Sequence, residues 1–176
     1  MKRLFLVFLA SLLAACGGLI SQPLPPRDAV RDFTLEARFA LRIAEPGKPP
    51  ENASGRLSWV RRRSDDRVLL SSPLGVGIAQ IDMTPEQATL LTADGKSRTS
   101  TDPALLMQDA TGLSLPMKRL PDWLLGRADA GSQIAHDGLQ RPLRLTEDGW
   151  QIEYEYADEN PEALPVLVSV NRGKSL

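Results

Sequence analysis

Long runs of strict apolar–polar alternation, turn residues between them and two short helix-period stretches in mid-chain predict a mainly β fold with some α. The strands follow one another through short connections, which favours antiparallel pairing. A sheet of about nine or ten strands curls, and its edges need cover. The expected architecture is therefore an open, incomplete antiparallel β-barrel with short helices over its mouth.

Each element follows from local pattern. Phe33, Leu35, Ala37, Phe39, Leu41 and Ile43 alternate with Thr34, Glu36, Arg38 and Arg42, giving a long first strand with one apolar face. The Pro- and Gly-rich stretch 46–52 ends it. A second strand carries Gly55, Leu57 and Trp59 on one face and Arg56 and Ser58 on the other. Residues 61–66 read as a charged turn, 68–71 as a third strand, and 76–83 as a fourth with a bulge at Gly77. Residues 88–92 and 96–100 form a hairpin about Asp94-Gly95. Asp102-Pro103 then caps a helix that stops at Gly112. A second helix over 116–125 aligns Leu120, Trp123 and Leu124 and closes at Gly126. Strands resume around Leu143 and Leu145, turn at Asp148-Gly149, and continue through Trp150, Ile152, Tyr154 and Tyr156. Leu164, Val166, Val168 and Val170 make the last strand.

With 176 residues, 42% hydrophobic, 24% charged and a formal charge of −1, the chain suits one domain and lacks the basic excess of a general nucleic-acid binder. One His and one Cys exclude a disulfide framework and a zinc site of the usual Cys/His type. His136, read as a loop residue, has no G-x-S-x-G elbow to serve. Gly75 and Gly77 lack the third glycine of a dinucleotide loop, and there is no Walker motif. The expectation is a protein that is not an enzyme and needs no cofactor. A hydrolase and a passive scaffold protein are the competing readings. Arg61-Arg62-Arg63 reads as a solvated turn, with anionic head groups or an acidic partner as the alternative. Trp59, Trp123 and Trp150 fill a core or line a cavity. Leu74, between Pro73 and Gly75, is expected at an exposed loop tip as an apolar probe for lipid; folding back onto the rim is the alternative.

Lys2 and Arg3 precede an apolar run over 4–15, too short to span a bilayer. Leu13-Ala14-Ala15-Cys16 resembles the lipobox of bacterial lipoproteins. That resemblance implies a signal peptide over 1–15 and covalent lipid on Cys16. Gly17, standing where Asp would favour inner-membrane retention, implies the periplasmic face of the outer membrane. Residues 16–29, rich in Pro and Gly, read as a lipidated tether, and 30–176 as the folded domain.

The runs 33–42 and 55–59, Ser72-Pro73-Leu74-Gly75, Leu115-Pro116, 120–126, Asp148-Gly149-Trp150 and Tyr154-Glu155-Tyr156 together resemble, in order and spacing, the LolB family of outer-membrane lipoprotein receptors. The resemblance spans about residues 30–170. It implies a half-barrel of about 10–11 strands whose helices form a lid over an apolar cavity. Phe39, Leu41, Leu57, Trp59, Leu70, Ile78, Leu105, Leu106, Trp123, Leu145, Trp150 and Tyr154 are the expected cavity residues. It further implies a monomer that takes acylated lipoprotein cargo from a soluble periplasmic carrier of similar fold and inserts it among outer-membrane phospholipid. The inserting leucine of the family falls on Leu74. The family continues with one more strand and a tryptophan after the turn that reads 171–173 here, so a missing or truncated last strand is expected.

Overall fold

The computed structural model describes residues 25–172, apart from 45, 46, 48 and 113. The signal segment, Cys16, most of the tether and the last four residues lie outside the described residues. Among the described residues, ten strands and two helices follow a 3-10 turn, Arg27–Ala29. The strands are β1 (Phe33–Ile43), β2 (Glu51–Arg62), β3 (Asp65–Ser71), β4 (Gly77–Met83), β5 (Ala88–Thr92), β6 (Ser97–Ser100), β7 (Gln133–His136), β8 (Pro142–Glu147), β9 (Trp150–Glu155) and β10 (Leu167–Arg172). The helices α1 (Pro103–Thr111) and α2 (Leu120–Leu124) lie between β6 and β7.

β1 to β6 form one antiparallel sheet in sequence order, and β10, β9, β8 and β7 form a second. Neither closes on itself. The expected open barrel with inserted helices is therefore observed, built from two sheets. One apolar cluster gathers Trp59, Val68, Leu70, Ala79, Ile81 and Leu90 from the first sheet with Leu106 and Met107 of α1. The other gathers Leu145, Trp150, Ile152 and Tyr154 of the second sheet with Trp123 of α2. Leu115 and Leu120 touch both, so the segment entering α2 joins the two halves.

Sequence and structure agree closely over β1, β5 and α1, where pattern and caps are unambiguous. The Asp102 side chain accepts from the Ala104 N–H, and the Gly112 N–H closes the helix on the Gln108 carbonyl. Four readings need correction. The 61–66 stretch is not a solvated turn: β2 continues to Arg62, and Arg61 turns inward to pair with Asp66 at 2.6 Å. His136 is not in a loop but ends β7, whose only partly buried side chain is Ile134, too weak an alternation to declare a strand. The second helix is shorter than 116–125, because 117–119 form turns ahead of α2. Finally, Leu164 and Val166 precede the last strand and are exposed. Pro165 lacks the N–H that a continued ladder requires, so the contact with β9 begins with the Val166 N–H, which donates to the Glu155 carbonyl at 2.8 Å, and the paired register starts at Leu167.

Two buried carboxylates, Glu147 and Asp66, tie down the polar rims of the two clusters. Glu147, at the end of β8, accepts from Arg119 Nε at 2.5 Å and Nη2 at 3.0 Å, from Trp123 Nε1 at 3.1 Å, from Ser132 Oγ at 2.8 Å and from the Asp129 N–H at 3.1 Å. Burial alone would push its carboxyl up. The hydrogen bonds from Arg119, Ser132, Asp129 and Trp123 outweigh that and hold it at about 2. Asp66 does the equivalent for the first sheet, accepting from Trp59 Nε1 at 2.7 Å and Arg61 Nε at 2.8 Å. The indole N–H groups of Trp59 and Trp123 thus each find a carboxylate partner at the rim of their cluster.

Because the Glu147 carboxyl is depressed in the folded state, its contribution is complete above its ordinary value of 4.5 and fades as pH falls toward 2. Glu147→Gln is expected to cost about 3 kcal/mol in urea unfolding at neutral pH. The variant should also lose part of the decline in stability that the parent shows between those pH values. Glu153→Gln, which removes the exposed carboxylate that Arg144 and Gln151 share, should cost about 0.5 kcal/mol or less.

Candidate functional site

The concave side of the first sheet is covered unevenly. α1 packs on β4, β5 and β6, and beneath it Ala79, Ile81, Met83, Ala88 and Leu90 are fully buried. Toward β1 the cover thins. All six inward residues of β1, from Phe33 to Ile43, are only half-buried, as is Leu57 on β2. A strand whose whole inward face is apolar and incompletely covered is a wall with room for another apolar surface. Gly55 shapes this wall. A Cβ there would lie 2.2 Å from the Ser71 carbonyl and 2.9 Å from the Phe39 ring, so only glycine lets that ring lie across β2.

The expected cavity residues divide among three places. Phe39, Leu57, Trp59, Leu70 and Leu106 belong to the first cluster, where Trp59 meets Phe33 edge-on at 5.9 Å. Leu41 continues the same wall on β1. Trp123, Leu145, Trp150 and Tyr154 belong to the second cluster, with the two indoles 5.8 Å apart and the Tyr154 hydroxyl donating to the Trp123 carbonyl at 2.8 Å. Ile78 and Leu105 stand apart from both. Ile78 sits where the β3–β4 register shifts and is 41% exposed on the outward side; Leu105 is 54% exposed on the solvent side of α1.

Leu74 occupies a rigid tip. The Gly75 N–H donates to the Ser72 carbonyl at 2.9 Å, closing a β-turn with Pro73 at its second position and Leu74 at its third. The Ser72 N–H reaches the Val76 carbonyl at 2.8 Å, and the Ser72 hydroxyl accepts from the Val76 N–H at 3.2 Å. Gly75 supplies the positive φ of 87° that brings the chain back to β4. Pinned this way, Leu74 is 92% exposed and does not fold onto the rim.

A cavity of about 350 Å³ lies elsewhere, between the 129–133 loop and residues 146–148. Of the three carboxylates that line it, Asp129, Glu147 and Asp148, Glu147 is saturated by five donated hydrogen bonds and ionised, so it is not available for proton transfer at neutral pH. His136 is exposed at the end of β7. Pattern reading missed Glu147, Asp66 and Arg119 because a charged side chain that the fold turns inward looks like an exposed one in sequence. It also missed how Arg127 holds the chain entering β1, by donating to the Arg27 and Val30 carbonyls. Among the described residues no helix is long and apolar enough to cross a membrane.

The chain is similar along nearly its whole length to known proteins. A family profile described as "Outer membrane lipoprotein LolB" matches residues 31–176. An outer-membrane lipoprotein LolB of Dechloromonas aromatica is 51% identical over 97% of this chain and 90% of its own length. Counterparts in Thiobacillus denitrificans and Azoarcus sp. are 36% and 31% identical, each over 94% of this chain and 90% and 89% of their own.

Because Leu74 contributes almost nothing to the core, Leu74→Glu should change urea-unfolding stability by about 0.5 kcal/mol or less. Trp59→Ala should cost about 3–5 kcal/mol in the same assay.

Proposed function

The chain belongs to the LolB family of outer-membrane lipoproteins, and from that membership we propose how its geometry delivers lipidated cargo. It is a lipid-anchored receptor of the outer membrane that accepts acylated lipoproteins and inserts them there; it is not an enzyme. The anchor falls on Cys16, behind a signal peptide over 1–15 and ahead of the tether over 16–29. The donor is a soluble periplasmic carrier of similar fold, the acceptor is outer-membrane phospholipid, and the receptor works as a monomer.

The physical problem is the acyl chain. A triacylated cargo carries on the order of forty methylenes, each worth about 0.8 kcal/mol when moved out of water. Free diffusion across an aqueous space is therefore excluded. Transfer has to run from one apolar surface to another, and then needs only a modest difference in affinity and no nucleotide. The half-covered wall of β1 and β2 offers such a surface next to a lid that can yield. Phe39, Leu41, Leu57, Trp59 and Leu70 contact the chains, and Leu105 and Leu106 ride on the moving helix. Met107 and Met117, flexible and buried at the α1 side of the first cluster, allow repacking as a guest enters. The Trp123 cluster serves as the fixed half against which the lid segment closes.

The observation that carries this reading is the combination of family membership with a leucine 92% exposed on a turn too rigid to retract it. An apolar side chain fixed in water costs free energy unless it enters another phase. At the bilayer Leu74 disturbs head-group packing and lets the acyl chains leave the wall for the membrane, where they are more stable.

The test separates the two steps. With cargo-loaded carrier as donor, Leu74→Glu should take up cargo at the parental level and fail to deliver it to outer-membrane vesicles. Equal loss of uptake and delivery would refute the assigned role.

A further inference from the structure

Three arginines on the outward face of the first sheet have no task within the fold. Arg38 and Arg56 stand directly opposite each other in the β1–β2 register, and Arg42 follows on the same face of β1. All three are exposed, and none has a hydrogen bond or ion pair among the described residues. By contrast, Arg67, Arg98 and Arg144 each meet a carboxylate. Two like charges facing each other across an antiparallel pair, with Cβ atoms about 5 Å apart, are destabilising. The neighbouring acids do not resolve this. Glu36 accepts from the Ser58 hydroxyl at 2.6 Å, and Glu51 lies at the hairpin end opposite Ile43.

Their position gives them meaning. Arg56 pairs with Ser71, the last residue of β3 before the Leu74 turn. Across that turn the outward face becomes apolar. Leu69 and Leu91 flank Gln80 in one cross-strand row, Ile78 lies between that row and the turn, and Val76 is exposed beside Leu74. Cations beside exposed apolar tips on one continuous face match the two layers of a membrane surface, phosphates outside and acyl chains beneath. The arginine run at 61–63 is at the opposite end of the sheet and is committed elsewhere: Arg61 to Asp66, Arg62 to the Phe33 carbonyl.

We propose that the outward face bearing Arg38, Arg42 and Arg56, continuous with the Leu74 turn, docks the domain onto a bilayer carrying anionic phosphate head groups. Docking there fixes the angle at which Leu74 enters lipid, so the inference rests on the reading of Leu74 as the lipid-facing tip. The anchor permits this orientation. The chain between Cys16 and Pro25 spans at most about 30 Å, and the sheet from the Phe33 row to the Phe39 row is about 20 Å long. A domain anchored from the Phe33 side therefore still presents its Leu74 end to the same membrane.

The experiment is vesicle flotation of the mature chain, kept free of acyl groups by Cys16→Ala and carrying no cargo. Phosphatidylcholine vesicles are compared with vesicles in which about one third is phosphatidylglycerol. Partitioning onto the anionic vesicles should exceed that onto neutral ones and fall with salt. Arg38→Ser, Arg42→Ser and Arg56→Ser together should lose roughly fivefold per arginine, about a hundredfold in all. A triple variant with the same charge change elsewhere, Arg31→Ser, Arg98→Ser and Arg144→Ser, should keep most of the binding. Circular dichroism should show all variants folded, since none of these side chains is buried. Parental binding by the first triple variant, or equal loss in the control, overturns the proposal. So does retained vesicle binding with lost capture of cargo-loaded carrier, which would give the face to an acidic protein instead. If Leu74→Glu lowers binding while the arginines do not matter, only the docking face fails. If Leu74→Glu binds like the parent, the reading beneath it fails as well.

Discussion

A sheet that curls without closing has an apolar side that something must cover, and every other feature of this molecule answers to that constraint. In a closed barrel the strands would cover one another. Here β1 and β6 are both edges, and the cover comes from α1 and the segment leading into α2. The cover is complete over β4, β5 and the inner end of β3, and incomplete over β1. An apolar wall left half open is costly for a protein whose only task is to stay folded. It suits one whose guest supplies the missing cover.

The polar interactions are arranged so that this exposure does not unravel the fold. Asp66 and Glu147 each anchor a buried tryptophan at the rim of its cluster, and Glu147 also draws Arg119 and the 129–132 loop onto the end of β8. The second sheet with α2 is thereby fixed, while α1 rests on the first sheet chiefly through the apolar contacts of Leu106 and Met107, with one solvent-exposed ion pair, Asp109 with Arg98, beside them. Apolar contacts lack fixed directions and can be exchanged for those of an acyl chain at small net cost; a saturated carboxylate cannot be exchanged that way. The distribution of the two kinds of contact separates the part that can move from the part that cannot.

Much of this was legible from residue order, for physical reasons that differ by element. β1 declared itself through eleven residues of alternation, and the structure shows the same period in its burial. Pro73 and Gly75 announced the Leu74 turn because their backbone preferences leave few alternatives. Asp102, Pro103 and Gly112 bounded α1 by capping chemistry alone. β7 stayed hidden because Gln133, Ala135 and His136 are all exposed and carry no pattern. Arg61 looked like its neighbours Arg62 and Arg63, yet the pleat turns only Arg61 inward to Asp66. Glu147 was invisible because its partners come from residues far away in the chain. The alternation also placed Arg38 and Arg42 on the outward face, but their lack of any partner is a tertiary fact that sequence does not contain.

The central claim is that acyl chains lie on the concave wall of β1 and β2. Its most direct test is to place a photo-crosslinking side chain at successive positions along those strands and load the protein with acylated cargo. Crosslinks are predicted at the inward positions Phe39, Leu41 and Leu57, with none at the outward positions Ala40, Ser54 and Ser58. Crosslinking that ignores this alternation, or that favours the outward set, would contradict the account.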